Sequence, residues 1–384
     1  MKYKSSFFAT LFVSCIFAFG QNPKQMRISF DYIQPPQVLL SSDFKYSSSG
    51  SVTYEEEVLM EKAENDAAME EWNSLSMTKK LKRKSVDGSN LPYNKYFPTI
   101  HSSDRLTSFV SIEGINKSQD AKASVNLIIN RPIVSSSSRK IKVAQENGTN
   151  VTRFKAVVST STSIEAIITD DRGNIENKNY TGVYSVTDPE EFAGKMLGGG
   201  ISSASLGKVE KRNFQVSEKM ALENALKDLS TYLSMKYGFV TRNNYPTGIW
   251  TFRTTKKNNY DAINSASQSL VGAYRLGIDS DMREQFESKL HAAIDVWKEE
   301  IGNYAPNDKK ARISAVQAGL LFLNIAEAYL WMQDWGECSQ ALGDFESILS
   351  MNKKLGRVNG GLAHYRRIEN LQKDLQIRYS SLSE

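Results

Sequence analysis

Residues 318–332 read AGLLFLNIAEAYLWM, an apolar run broken only by Gly319, Asn324 and Glu327. A helix that is apolar on nearly every side is either a core helix or a membrane span. This run of 15 residues is shorter than the roughly twenty a bilayer needs, and it contains a carboxylate. It reads as a buried core helix. Asp334, Trp335 and Gly336 then predict a tight corner. Beyond the corner, Ala341, Leu342, Phe345, Ile348 and Leu349 repeat at helical spacing. The stretch from Ala311 to Met351 is therefore expected to be an αα-hairpin.

Working outward from the hairpin, everything from Tyr260 onward reads as helix. Residues 281–302 carry Met282, Phe286, Leu290, Ile294, Trp297 and Ile301 on one stripe, and residues 262–277 precede them. The last helix, 362–380, is polar on most sides, with Arg366, Arg367, Lys373 and Arg378 expected to point outward. Such a helix suits the end of a stack, where a polar face covers the exposed core.

The central hairpin resembles a tetratricopeptide repeat. A 34-residue unit counted from Gly319 puts Phe322 on the first large position and Ile325 with small Ala326 on the next pair. Tyr329 falls on the usual tyrosine, Asp334-Trp335 on the acidic-aromatic turn, and Cys338 on the small residue opposite Ala326. Phe345 and Ser350 depart from the pattern, standing where the family has alanine and often proline. Ala326, Tyr329, Trp335 and Cys338 are thus the expected structural positions. The resemblance implies binding of peptides or neighbouring proteins on a free concave face, and hence partner contacts from the C-terminal half.

Toward the N-terminus the period changes. Residues 25–33 alternate Met26, Ile28, Phe30 and Tyr32, which predicts a strand ended by Pro35-Pro36. Ser47–Ser51 reads as a polar loop and Glu55–Leu81 as helix. Strands are expected at 109–115, 123–133, 140–143, 152–159, 163–169 and 180–186, all rich in β-branched residues. Asp170–Asn174 reads as a hairpin tip, and the glycine-rich residues 196–208 as a hinge or lid, since they lack phosphate-loop spacing. Leu222, Leu226, Leu229 and Leu233 mark a helix stopped by Gly238, against which residues 248–254 are expected to close the sheet. The basic run Lys79–Lys84 reads as a solvated helix end. The expected architecture is α+β, with an N-terminal mixed domain over 21–253 followed by a helical, tetratricopeptide-like domain over 254–384.

Residues 1–20 have Lys2 and Lys4, an apolar block from Phe7 to Phe19 and small residues near Gly20, the layout of a secretory signal peptide. Cleavage after Gly20 is expected. Lipidation at Cys15 is the competing reading, disfavoured because the apolar core continues past it. Once Cys15 is removed, Cys338 is the remaining cysteine, so the exported chain holds no internal disulfide. The formal charge of +5 over 384 residues is mild and points away from nucleic acid.

The three histidines, His101, His291 and His364, lie on a loop and two separate helices, with no metal-ligand spacing. No catalytic set, metal site or cofactor is expected. Tyr245, Trp250 and Arg253 are the candidate binding residues, because aromatic faces beside cations hold peptides or sugars; the favoured alternative is that this stretch fills the seam between the two domains. The four Asn-x-Ser/Thr triplets, at Asn116, Asn147, Asn150 and Asn179, predict exposed loops in a bacterial export route. The reading is an exported bacterial envelope protein, periplasmic or outer-membrane associated. It has no transmembrane span after the signal and can associate peripherally with a membrane. Its work would be non-catalytic binding of another envelope protein, in assembly or secretion machinery. The alternatives are a hydrolase of envelope polymers and a glycan-binding surface protein.

Overall fold

The computed structural model describes residues 23–86, 91–146, 149–188, 192–194, 203–276, 282–306, 308, 311–358 and 360–382. Residues 1–22, with Cys15 and the expected cleavage point, lie outside the described residues. The fold is α+β, with a strand-rich N-terminal region and a helical C-terminal region. The chain divides into two compact units, one of residues 38–239 and one drawn from both ends, up to Gln37 and from Val240 onward. The expected cut after Arg253 is therefore not where the chain divides. Strand β1 (Pro23–Gln34) pairs antiparallel with β9 (Val240–Phe252), from Pro23↔Phe252 to Gln34↔Val240. The sequence between them is an insertion into the loop of one β-ribbon. Residues 248–254 do not close the N-terminal sheet, because β9 finds its partner in β1.

In the unit built from both ends, the ribbon joins five helices: α5 (Asp261–Leu276), α6 (Arg283–Ile301), α7 (Ala315–Met332), α8 (Trp335–Met351) and α9 (Gly361–Ser381). By length and composition α7 could cross a bilayer, but 83% of it is buried inside the protein. Its start is set by Ser314, whose side chain and that of Gln317 form a reciprocal capping box. Its end is set by Gln333 in the left-handed region (φ 64°). Asp334 then caps α8 by accepting the Glu337 N–H at 3.1 Å.

α7 and α8 form the predicted hairpin, α6 packs on α7, and α9 packs on both hairpin helices. The ribbon lies on α5 and α7 and bonds to α9 as well. Its inward residues Ile28, Phe30, Tyr32, Ile249, Trp250 and Phe252 belong to the same apolar core as α7. The ribbon thus packs against α5, α7 and α9. On α9, Arg366 and Lys373 point outward as predicted. Arg367 and Arg378 do not: Arg378 is 3% exposed and donates to the Pro35 carbonyl of the ribbon at 2.8 Å.

The inserted unit is a sheet covered on one face by α4 (Ser203–Tyr237). Along it run β3 (Asn116–Lys117), β2 (Lys45–Val52), β4 (Ser124–Ile129), β6 (Thr149–Thr169) and β5 (Ile133–Glu146), with β7 (Ile175–Thr187) and β8 (Phe192–Gly194) also on β6. Alternate residues of β4 and β6, among them Val125, Leu127, Ile164, Ala166 and Ile168, pack with Leu222, Leu226, Leu229 and Leu233 of α4. The approach is close enough to require Gly182 on β7, where an added Cβ would stand 1.9 Å from the Ala221 carbonyl oxygen.

Several local expectations change here. Ser47–Ser51 is strand β2, pairing parallel with β4, since serine satisfies a strand whose outer face meets water. Residues 109–115 are not strand; Ser103–Ser108 forms a short helix, α3, and Val110, Ile112 and Ile115 fill the core from irregular chain. The strands expected at 152–159 and 163–169 are one continuous β6. The helix expected over 55–81 breaks at Leu75, giving α1 (Glu55–Ser74) and α2 (Met77–Val86). The hairpin tip forms as read, with Asp170 accepting the N–H groups of Arg172 and Asn174 at 3.0 and 2.7 Å. Of the glycine-rich stretch, 196–202 lies outside the described residues, and Ser203–Lys208 opens α4.

Candidate functional site

Each of the three residues that interrupt the apolar run of α7 has a tertiary task. At Gly319 a Cβ would stand 2.4 Å from Leu355, so glycine permits that contact. Asn324 acts as a backbone surrogate for the ribbon. Its Oδ1 accepts the Trp250 N–H at 2.7 Å, and its Nδ2 donates to the Trp250 carbonyl at 2.9 Å. Glu327, one turn further, is 1% exposed and gathers a cluster of polar side chains.

The Glu327 carboxylate accepts from Trp331 Nε1 at 2.7 Å and from His364 Nε2 at 3.0 Å. Thr247 Oγ1 and an Arg367 guanidinium nitrogen also donate to it. On the other side of the ring, His364 Nδ1 receives Trp250 Nε1–H at 3.0 Å, and Gln25 Nε2 lies 3.2 Å from it. An indole can only donate. His364 is therefore the neutral tautomer with its proton on Nε2, shared with Glu327. Burial raises the Glu327 pKa, but the Arg367 charge and the donors from His364 and Thr247 outweigh it and bring it down to about 2. Arg367 also lies over the Tyr245 ring, 5.7 Å from its centroid. The cluster is thus a carboxylate held ionised by closed donors. Both histidine nitrogens are engaged, so neither is available to accept a substrate proton.

Two of the sequence-predicted binding residues, Tyr245 and Trp250, sit in this cluster. Their role is to hold the ribbon on the helices, and Trp250 is 2% exposed. Arg253 lies exposed just past the end of β9 and is not part of it. Ala326 and Cys338 are both fully buried in the hairpin. Tyr329 accepts from Lys298 Nζ at 2.9 Å, and the Trp335 carbonyl accepts from Gln372 at 2.9 Å. Sequence reasoning missed His364 and Arg367. The signal for them was Glu327 itself, because a carboxylate in an apolar helix demands buried donors.

Open space lies in both units: a cavity of about 430 Å³ borders Gln25, Thr251 and Asn264 beside the ribbon, and the inserted unit holds more. A groove of about 580 Å³ runs between α1, the segment Pro92–Ile100 and α4. Tyr96 stacks on buried Phe214 at 4.2 Å between ring centroids, and Tyr93 and Phe97 line the groove beside it. Lys62, Lys95 and Lys211 supply its cations. A second cavity of about 290 Å³ contains His101, Arg105 and Lys219. The two cavities share Thr99 and Gln215 in their linings and follow one another along α4.

Segment 92–100 is held rigidly. The 2%-exposed carboxylate of Glu218 accepts the Thr99 N–H at 2.8 Å and its hydroxyl at 3.1 Å. Tyr54 donates to the Thr99 carbonyl at 2.8 Å, and Lys211 to the Tyr93 carbonyl at 2.6 Å. Pro92-Tyr93 through Tyr96-Phe97-Pro98 carried the aromatic-cation pattern in the sequence, but only the fold brings Lys62 and Lys211 to it. Among the described residues, no group of three or more His, Cys, Asp or Glu side chains could hold a metal ion. No protein-family model matches the chain, and no curated protein matches it.

Proposed function

We propose that this chain is an exported protein of the bacterial envelope that works by binding another protein, without catalysis, in assembly or secretion machinery. The observation that carries this reading is the preformed groove walled by Tyr93, Tyr96 and Phe97 beside three lysines. Aromatic side chains with few rotatable bonds, held on an anchored segment, lose little entropy when a partner arrives. The buried Glu327–His364–Arg367 cluster supports the same direction, because its donors and acceptors are spent on one another. The site of binding moves accordingly, from the C-terminal helices to the inserted unit.

The test is site-specific photocrosslinking in cells with benzoylphenylalanine at Lys95, compared with the same probe at exposed Arg366 on α9. An adduct with a defined protein from Lys95 and not from Arg366 is the expected result. Absence of any adduct at Lys95 would overturn the reading. An adduct confined to Arg366 would return partner binding to the helices.

A further inference from the structure

We infer that the two adjoining cavities along α4 receive an extended acidic segment of a partner protein, with its apolar side chains against Tyr96 and Phe97 and its carboxylates on the lysines; this rests on the binding role just proposed. The charge in the groove is one-sided. Lys62, Lys95 and Lys211 line the larger cavity, and no aspartate or glutamate does among the described residues. In the smaller cavity the carboxylates are already committed: Glu218 to Thr99 and Glu223 to Lys219 at 3.8 Å. Arg105 adds a further cation at that end. A ligand therefore meets positive potential in the larger cavity, while the smaller one balances Arg105 and Lys219 against Glu218 and Glu223.

The positive field is also local. The whole chain carries a formal charge of only +5, so the molecule lacks the broad basic surface a long polyanion uses. A short acidic stretch fits that distribution. Met69, Pro92, Pro98 and Ile100 make the remaining walls apolar, which suits alternating apolar and acidic side chains. Sugar hydroxyls call for carboxylates and amides, and the larger cavity offers only Asn65 and Gln215. Extended chain is favoured because the two cavities follow one another along α4, from Lys211 to Gln215 and from Gln215 to Glu223, with room for a few residues in their 580 Å³ and 290 Å³.

The experiment uses the full exported chain and a labelled peptide of about ten residues alternating glutamate and phenylalanine, read by fluorescence anisotropy. A second peptide carries glutamine in place of glutamate. Binding of the acidic peptide alone is expected, weakening at least about tenfold in Lys62→Glu/Lys95→Glu and falling as salt shortens the reach of the charges. These two positions are chosen because Lys95 is exposed and Lys62 is half-buried, whereas truncating Tyr96 would strip the cover from Phe214. Equal binding of the glutamine peptide, or no loss in the double variant, overturns the acidic-segment inference. So does displacement of the peptide by an oligouronate at lower concentration than by unlabelled peptide, which would make the ligand an acidic glycan. Failure of both peptides with the Lys95 crosslink intact sinks only this inference. Failure of the crosslink as well sinks the binding role beneath it.

Discussion

Glu327 shows how one carboxylate can be kept ionised inside an apolar helix. Its pKa, held at about 2 against an ordinary 4.5, makes its stabilising effect pH-dependent. A depressed carboxylate contributes above its unfolded pKa and loses that contribution as pH falls through the folded value. The span from 4.5 to about 2 corresponds to on the order of 3 kcal/mol. Glu327→Gln should therefore be less stable than the parent by roughly that amount above pH 5. The two proteins should converge as the pH approaches 2. Urea melts of both proteins across that range measure it, and a deficit independent of pH would show that the carboxylate is not ionised in the fold.

Cys338 offers a second test at this scale. Burial pushes its thiol up to about 12, so it stays protonated and hidden at neutral pH. Its alkylation should follow global unfolding; rapid labelling of native protein would contradict its place in the hairpin.

Among the elements, α7 organises its unit by combining an apolar surface with two polar contacts that point at one ribbon. Asn324 supplies a donor and an acceptor to the Trp250 backbone, and both groups are buried. Asn324→Leu leaves the Trp250 N–H without a partner, at about 1–3 kcal/mol, and leaves its carbonyl only the longer Ser267 hydroxyl contact at 3.4 Å. The same helix faces α8 through small residues, and Ala326 is wholly buried. Ala326→Leu should overpack that crossing and cost roughly 1–3 kcal/mol, while Cys338→Ser should cost less if its hydroxyl bonds a carbonyl one turn back. Thermal melts read all three, and an unchanged midpoint for Ala326→Leu would mean that the two helices do not meet there. α9 has a similar double character. Its exposed Arg366 and Lys373 face water, and its Arg367 and Arg378 reach inward to Glu327 and Pro35.

For the whole molecule, the β1–β9 ribbon decides which pieces fold. A fragment starting at Asn258 contains all five C-terminal helices but loses Phe30, Tyr32, Trp250 and Phe252 from its core. It also strands Asn324 without its two Trp250 backbone contacts and takes Thr247 from Glu327. It should melt without cooperativity. Joining Gln37 to Val240 through a short turn, with 38–239 removed, keeps both strands in register from Gln34↔Val240 and should melt as one transition. The excised 38–239 segment has its own core and begins where Val38 N–H meets the Lys236 carbonyl at 3.1 Å, so it should fold alone. Circular dichroism of the three proteins checks this. A cooperative melt of the Asn258 fragment at the parent's midpoint would mean that the ribbon is dispensable.

Where period and composition act locally, the chain could be read directly. The αα-hairpin, the strand at 25–33, the leucine face of α4 and the Asp170 turn all follow from spacing, caps and turn residues within a few positions. The α+β class follows from the same signals. The ribbon could not be read in this way, because its two strands are more than two hundred residues apart and nothing in either names the other. The serines of β2 read as loop because a strand with a wet outer face needs no apolar alternation on that side. His364 and Arg367 sat in a helix polar enough to pass for a cap, and only the docking of α9 turned them toward Glu327. The groove has the same origin: Tyr93, Tyr96 and Phe97 are neighbours in sequence, but the lysines facing them come from α1 and α4. Local sequence determined the elements, and long-range burial of polar groups decided which elements met.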